Sequence, residues 1–298
     1  MSTSRRESQS VDLGAQYITA TPASASSHRS FYAELMHSGV LRPLEAQIEG
    51  LQQNDENKNY VSPQGMSAVV KHFLSQSGAD VFFECHMTGL YSCGASWEVQ
   101  RKNGDSKLFD TIVLTMPVPQ ILQLQGDMGK LLTIQQRENL GSVVYSSCFA
   151  LALFFSPETI LSFPWAARYV THNDCIRYIA VDLCRGNADA STWGPSLVVH
   201  TSVQFGLEHL EWDKDKVKPI IMQELHKVLP GLPQPVSIKC HKWRYSQVLT
   251  SFPDCPGHMT VCEKPLLICG GDAFIHSNFD GCIESALKMT DVLVAALS

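Results

Sequence analysis

The segment from Leu266 to Leu297, LLICGGDAFIHSNFDGCIESALKMTDVLVAAL, constrains the fold most. An apolar run is cut by two glycines and an aspartate, and a helical apolar pattern of about four turns comes next. A strand that apolar needs a covering layer on each face, and a strand passing through a glycine turn into a helix is a building unit of α/β sheets. Gly270 and Gly271 let the backbone approach a ligand closely. Asp272, just past the strand end, can accept a hydrogen bond from a sugar-like hydroxyl. Gly281, Cys282 and Ile283 open the helix, whose first turn offers N–H groups and a positive dipole end to a carbonyl or an anionic ring nitrogen. The same residues also read as an ordinary turn with a capped helix.

The rest of the chain supplies mixed elements. Ser26–His37 has helical spacing, and Met66, Val69, Val70, Phe73 and Leu74 form an i, i+3, i+4, i+7 stripe with Gly78 as its stop. ADVFFECHMTGLYS reads as a strand, SWEVQRKNG ends in an Asn103–Gly104 turn, and TIVLT is a buried strand broken by Pro117 and Pro119. A helix is expected around Ile134–Leu140. SSCFALALFF, Val170–Asp182, Ser196–Phe205 and SIKCHKWRYSQV are further strands, and Lys216–Leu229 is an amphipathic helix. Asn54–Asn59 reads as a polar loop, and residues 1–10, rich in serine and arginine, as disordered.

Composition then excludes whole classes. Charged residues make up only 17% of 298 residues, too few for a disordered or coiled-coil chain. The formal charge of −6 and the lack of a basic run argue against nucleic acid or an anionic membrane as partner. The ten cysteines (85, 93, 148, 175, 184, 240, 255, 262, 269 and 282) show no C-x-x-C spacing, so zinc frameworks are not expected and reduced, structural thiols are. With no secretory signal or N-x-[ST] sequon, a cytoplasmic protein is the expectation.

Two further segments could meet a ligand. In DLGAQYI, Gly14 and Ala15 leave room for a flat cofactor, with Gln16 and Tyr17 next in line; a turn with a core tyrosine is the plainer alternative. TIVLTMPVP could present backbone at a sheet's carboxyl edge. His200, inside the apolar strand SLVVHTSVQF, needs a partner or a pocket. The G-x-S-x-G, H-E-x-x-H, P-loop and EF-hand patterns do not occur.

Taken in order, DLGAQYITATP, VSPQGMSAVVKHFL, FDTIVLTMPVPQILQLQGD, PGLPQP, KWRYSQV and CGGDAFIHSNFDGC resemble the renalase family from Asp12 to the final helix. The resemblance implies an α/β fold: an incomplete FAD-binding Rossmann-like domain (1–29, 60–117 and 265–298) with an α+β substrate domain built on a mixed sheet (30–59 and 118–264). It implies an FAD-dependent oxidase of aberrant dihydronicotinamide isomers of NAD(P)H, yielding NAD(P)+ and passing electrons to O2 to give hydrogen peroxide. The cofactor residues it implies are Gly14, Ala15, Gln16 and Tyr17 beside the flavin ring, Gly271 and Asp272 near the ribityl chain, Gly281, Cys282 and Ile283 near the pyrimidine edge, and Met87 at the adenine. Tyr17, His200 and Trp243 are implied to line the substrate cavity, with no catalytic side chain beyond the flavin and no metal. The family also allows an extracellular location.

The pattern departs from the family in lacking G-x-G-x-x-G, whose glycines let a helix N-terminus cradle the pyrophosphate. Roughly 50 residues of the family pattern, a βαβ unit and the segment after it, have no counterpart. A shortened form that holds FAD weakly, and exposes strand edges and apolar surface, is therefore expected. Ala273 and Tyr245 stand where the family usually carries Gly and His. Two rival readings remain: a flavin monoamine oxidase, and a flavin-free or partner-binding protein.

Overall fold

The computed structural model describes residues 1–6, 9–52, 56–181 and 194–298. Cys184, Asn54 and Asp182 lie outside the described residues. The fold is α/β with several mixed sheets, arranged as two compact units. The first comprises Met1–Ala79 and Ser146–Ser246, the second Asp80–Tyr145 and Gln247–Ser298. These units divide the chain elsewhere than the cofactor and substrate domains drawn from the sequence.

The first unit is organised by a six-stranded sheet in the order Ser237–Trp243, Cys148–Phe154, Ser196–Thr201, Ile176–Val181, Ala167–Tyr169 and Ile48–Glu49. The alternation of CFALALF decides its two faces. Phe149, Leu151 and Leu153 point to one side and pack with Val217, Ile221 and Leu225, four residues apart on the helix Lys214–Val228. Ala150 and Ala152 point to the other side, where Val11 and Leu13 cover them. Two alanines in this strand, second from the sheet's edge, let the segment around Leu13 lie close against the sheet.

The chain start differs from expectation: Thr3–Arg6 and Gln9–Asp12 form an antiparallel hairpin. Its polar side chains find partners far along the chain. The Gln9 amide donates to the carbonyls of Phe155 and Gly194, and the Lys239 ammonium to the Ser4 hydroxyl. The helix Ser67–Gln76 matches the expected span, and Gly78 lies just past it with φ +66°. Its buried side is narrower than the sequence stripe, since Val70 and Leu74 are exposed while Met66 and Val69 are buried. The strand expected to reach Phe205 ends at Thr201. The Ser202 hydroxyl accepts the Phe205 N–H and caps a helix, Val203–Glu208, instead.

In the second unit Thr111–Leu114 and Leu266–Gly270 form a parallel pair, flanked by the antiparallel strand His258–Glu263. A parallel pair whose inner strand runs into the Gly270–Gly271 turn is the Rossmann-like element anticipated from the sequence. Beside it stands a four-stranded sheet of Gln125–Gly126, Met87–Cys93, Ser96–Arg101 and Ser106–Phe109. Their shared core holds Leu90, Trp97, Leu114, Ile121 and Phe274, and the Trp97 indole N–H donates to the Leu266 carbonyl at 3.0 Å. The strand expected over ADVFFECHMTGLYS begins only at Met87. Residues 80–86 pair with no strand among the described residues, and Val81, Phe82 and Phe83 are exposed. The closing helix, Phe279–Leu297, is a turn longer than expected. No described helix is long and apolar enough to cross a membrane.

Candidate functional site

Cross-strand register builds a row of rings on the alanine face of the six-stranded sheet. Ala150 pairs with His241 on one side and His200 on the other; His200 pairs with Tyr178, and Tyr178 with Tyr169. Directly paired residues share a face, so these side chains lie in one line across the sheet. Ring centroids are 5.9 Å apart for Tyr178–His200 and 5.0 Å for Tyr169–Tyr178. Trp243, two residues beyond His241 on the same face, meets its imidazole edge-on at 4.4 Å.

The segment Leu13–Tyr17 ties this row together. The Leu13 carbonyl accepts the Trp243 indole N–H at 2.8 Å and also contacts the His200 imidazole. Four residues on, the Tyr17 and Tyr169 hydroxyls share a hydrogen bond of 2.6 Å. Tyr17, His200 and Trp243 thus join one continuous chain of contacts. Tyr169, Tyr178 and His241 are members that the sequence reading missed.

Burial sets the protonation of the row. His200 Nε2 is shut off from solvent and has no hydrogen-bond partner among the described residues. Burial pushes the imidazole from 6.5 down to about 4, and the Leu13 carbonyl offsets only part of that. The ring is therefore neutral at pH 7. His241 is lowered by burial and then by Lys239. The Tyr17 phenol is raised, first by burial and then by its bond to Tyr169. The row is flat, aromatic and uncharged at neutral pH.

The other residues expected at the Gly14 turn are engaged within the protein. The Gln16 amide donates back to the carbonyls of Asp12 and Gly14. A Cβ on Gly14 would meet Trp243 at 3.5 Å and the Ser2 backbone nitrogen at 3.7 Å, which is ordinary contact distance. Ala15 comes next in the same turn and is exposed.

In the second unit, Gly271 ends the strand with φ +114° and ψ −171°, a conformation that is almost glycine's alone. A Cβ there would meet the Thr115 carbonyl oxygen at 3.5 Å, an ordinary contact distance, so the backbone conformation and not crowding is what calls for glycine. Its N–H donates to Ser285 Oγ, and Asp272 accepts the Ser277 hydroxyl at 2.8 Å. The helix N-terminus is more occupied than expected: Asn278 Oδ1 accepts the Gly281 N–H, and the Asn278 carbonyl the Cys282 N–H. Ile283 is buried. Cys282 is exposed at the helix start, and partial desolvation of its sulfur, then the charge of Asp272, push the thiol upward, away from thiolate. Met87 starts its strand, partly buried against the unit's core. No group of three metal-ligating side chains occurs among the described residues, and the nine described cysteines are free.

Known proteins match this chain closely. A family profile of flavin-containing amine oxidoreductases matches residues 5–293. Mouse renalase is 47% identical over 283 residues, which cover 95% of this chain and 83% of that protein. Among solved structures, a candidate protoporphyrinogen oxidase of Exiguobacterium superposes with a TM-score of 0.60 at 12% identity, over 80% of this chain and 52% of its own. A putrescine oxidase bound to putrescine superposes with a TM-score of 0.55 at 15% identity, over 80% and 54%. The chain spans about half the length of these two structures, and their likeness is one of fold. With a profile spanning nearly its whole length and a close relative over most of both chains, this chain belongs to the flavin-containing amine oxidoreductases as a renalase-like flavoprotein with FAD as its cofactor.

Proposed function

We propose that the protein is an FAD-dependent oxidase of dihydronicotinamide isomers of NAD(P)H, giving NAD(P)+ and, with O2, hydrogen peroxide. The observation that carries this reading is the uncharged row of His241, Trp243, His200, Tyr178, Tyr169 and Tyr17. A flat dihydropyridine ring suits aromatic faces and a neutral imidazole. A monoamine enters as a cation and calls for a carboxylate or an open aromatic cage, and the row contains no carboxylate. FAD, when bound, supplies hydride acceptance and delivery of electrons to O2. The protein's part is positioning: the buried His200 Nε2 can accept a hydrogen bond from a substrate amide, and the Tyr17–Tyr169 pair can orient a polar edge. Neither is needed to remove a proton.

Whether the residues suit FAD is decided by what surrounds them. At the Gly271–Asp272 turn the missing side chain and the Asp272 carboxylate suit a bound group, with the Thr115 carbonyl oxygen at contact distance and the Ser277 hydroxyl on the carboxylate. The Gly14–Gln16 turn is engaged within the protein as it stands: the Gln16 amide donates back to the Asp12 and Gly14 carbonyls, and Trp243 and Ser2 stand at ordinary contact distance from Gly14. We assign the cofactor role to residues 1–29, 60–117 and 265–298 and the substrate role to the remainder, as a division of function and not of compactness. The free thiols support a cytoplasmic location, which subcellular fractionation checks. The deciding experiment measures hydrogen peroxide from FAD-supplemented protein given dihydronicotinamide isomers or monoamines. Peroxide from the isomers alone supports the reading; peroxide from amines alone overturns it in favour of the monoamine oxidase.

A further inference from the structure

A cationic ledge stands beside the ring row, on the strand Ser237–Trp243. This strand pairs with Cys148–Phe154 on one side and ends its sheet on the other. Cys240 and His241 point to opposite faces of it. Burial raises the Cys240 thiol, and Lys218, Lys214 and Lys242 draw it back down. Burial lowers His241, and Lys239 and then Lys214 lower it further. A charge felt on both faces places Lys214 alongside the strand's unpaired edge. The Lys242 ammonium donates to the Leu210 and Trp212 carbonyls at 2.8 and 2.9 Å, and that of Lys239 to the Ser4 hydroxyl. These are neutral oxygens, and Lys214, Lys239 and Lys242 form no ion pair among the described residues. The neighbouring carboxylates are engaged elsewhere: Glu211 accepts from Arg244 at 2.8 and 2.9 Å, Asp213 accepts the Asp215 N–H, and Asp215 stands 3.6 Å from Lys218. An indole closes the ledge. Trp212 is 48% exposed, yet it is held: its backbone N–H donates to the His209 carbonyl at 2.9 Å, and its ring meets the His209 imidazole at 4.7 Å, which itself stacks on Phe205 at 4.0 Å.

We propose that this ledge binds the adenosine diphosphate half of a dinucleotide substrate, with Lys214, Lys239 and Lys242 at the diphosphate and the Trp212 indole stacked on the adenine. The proposal rests on the oxidase reading above and deepens it, because it makes the protein selective for dinucleotides over mononucleotides. Lys239, His241 and Trp243 share one face at two-residue steps, so the nearest ledge cation lies about 7 Å along the strand from the imidazole of the row. From there the diphosphate crosses the strand's open edge at Lys214 and reaches the side of Lys242 and Trp212. A chain of net charge −6 repels a polyphosphate in general, and a local group of uncompensated cations decides where it settles. A base stacks on an exposed aromatic face, and a ring already fixed in place loses little freedom in accepting it.

The test titrates NAD+, ADP and nicotinamide mononucleotide by calorimetry into the full chain, Trp212→Ala, Trp212→Phe and the double variant Lys214→Gln/Lys239→Gln. Urea melts confirm that each variant is folded. NAD+ and ADP should both bind the parent, quenching the share of tryptophan emission that Trp212→Phe lacks. Trp212→Ala should weaken both about tenfold and Trp212→Phe less, while the mononucleotide binds Trp212→Ala as it binds the parent. The double lysine variant should weaken both about tenfold and lose most of the salt dependence of binding. If Trp212→Ala and the lysine variant take NAD+ and ADP as tightly as the parent, the ledge is overturned and the oxidase reading is untouched. If ADP responds to the variants and NAD+ does not, the ledge holds a free nucleotide and the proposal is likewise overturned. Peroxide assays on the same protein separate the two readings: if both ligands respond and the dihydronicotinamide isomers give no peroxide, the ledge stands as a dinucleotide site and the oxidase reading alone falls.

Discussion

His200 makes the stability of the first unit depend on pH in a way that one substitution removes. In the unfolded chain its imidazole takes up a proton near the ordinary 6.5, whereas in the folded protein burial holds that value down to about 4. Above pH 6.5 both states are neutral and the group's full contribution is present. As pH falls below 6.5 the unfolded state gains a proton that the folded state refuses, so unfolding becomes easier until about pH 4. At 1.36 kcal/mol per unit, a depression of that size corresponds to roughly 3 kcal/mol. His200→Phe keeps a flat ring in the row and eliminates the titration. Urea unfolding from pH 7.5 to 4.5 should show the parent losing about 2–3 kcal/mol more stability than the variant. His241 and His258, also lowered, are present in both proteins and cancel in the difference. Equal slopes with pH in the two proteins would falsify the account of a buried, neutral His200.

Other outcomes hang on single contacts. Asp12 is buried, and both of its carboxylate oxygens accept the Met66 N–H, at 3.0 and 2.9 Å, at a helix start. Asp12→Ala should cost about 2–3 kcal/mol in urea melts and Asp12→Asn clearly less; equal costs would deny the charge any role. Tyr169→Phe should let Tyr17 titrate at lower pH in absorbance measurements, by only part of its shift because burial is the larger cause, and should raise KM more than it lowers kcat. Gly281→Ala should lower stability by about 2–4 kcal/mol with or without FAD, since its Cβ would overlap the His276 carbonyl oxygen. Gly271→Ala should cost roughly 1–3 kcal/mol from backbone strain and should weaken FAD binding beyond that loss, measured by flavin fluorescence.

What the sequence disclosed was mostly local. The run CFALALF announced a buried strand, and the spacing in VSPQGMSAVVKHFL announced its helix, because both signals lie within a few residues. The ring row was hidden because register, not spacing, creates it. Ala150, His200, Tyr178 and Tyr169 come from four strands, and nothing in ARY or IRYIAV states which residue will stand opposite which. The alternation in IRYIAV could have marked Tyr178 as inward-facing, but not its neighbours. VFF at residues 81–83 reads as strand by propensity, yet a strand needs a partner, and none exists for it among the described residues. Residues 1–10 looked disordered by composition. The Gln9 amide nonetheless finds the Phe155 carbonyl 146 positions away, a pairing that no local rule anticipates.

The glycines that suggested a ligand site prove to do different work. On Gly270 a Cβ would strike Met289, and on Gly281 the His276 carbonyl, so both are small because the closing helix and its loop pack against them. Gly14 has room for a Cβ at ordinary contact distance, so its lack of a side chain is not demanded by its present neighbours. Gly271 alone of the four holds a conformation that is almost glycine's alone, with the Thr115 carbonyl oxygen at ordinary contact distance from where a Cβ would stand. Packing thus explains Gly270 and Gly281, backbone conformation explains Gly271, and neither demands a glycine at Gly14. A glycine that its own fold does not need is best accounted for by something the fold must make room for. In the first unit that argument applies to Gly14, whereas in the second the backbone conformation of Gly271 already requires glycine.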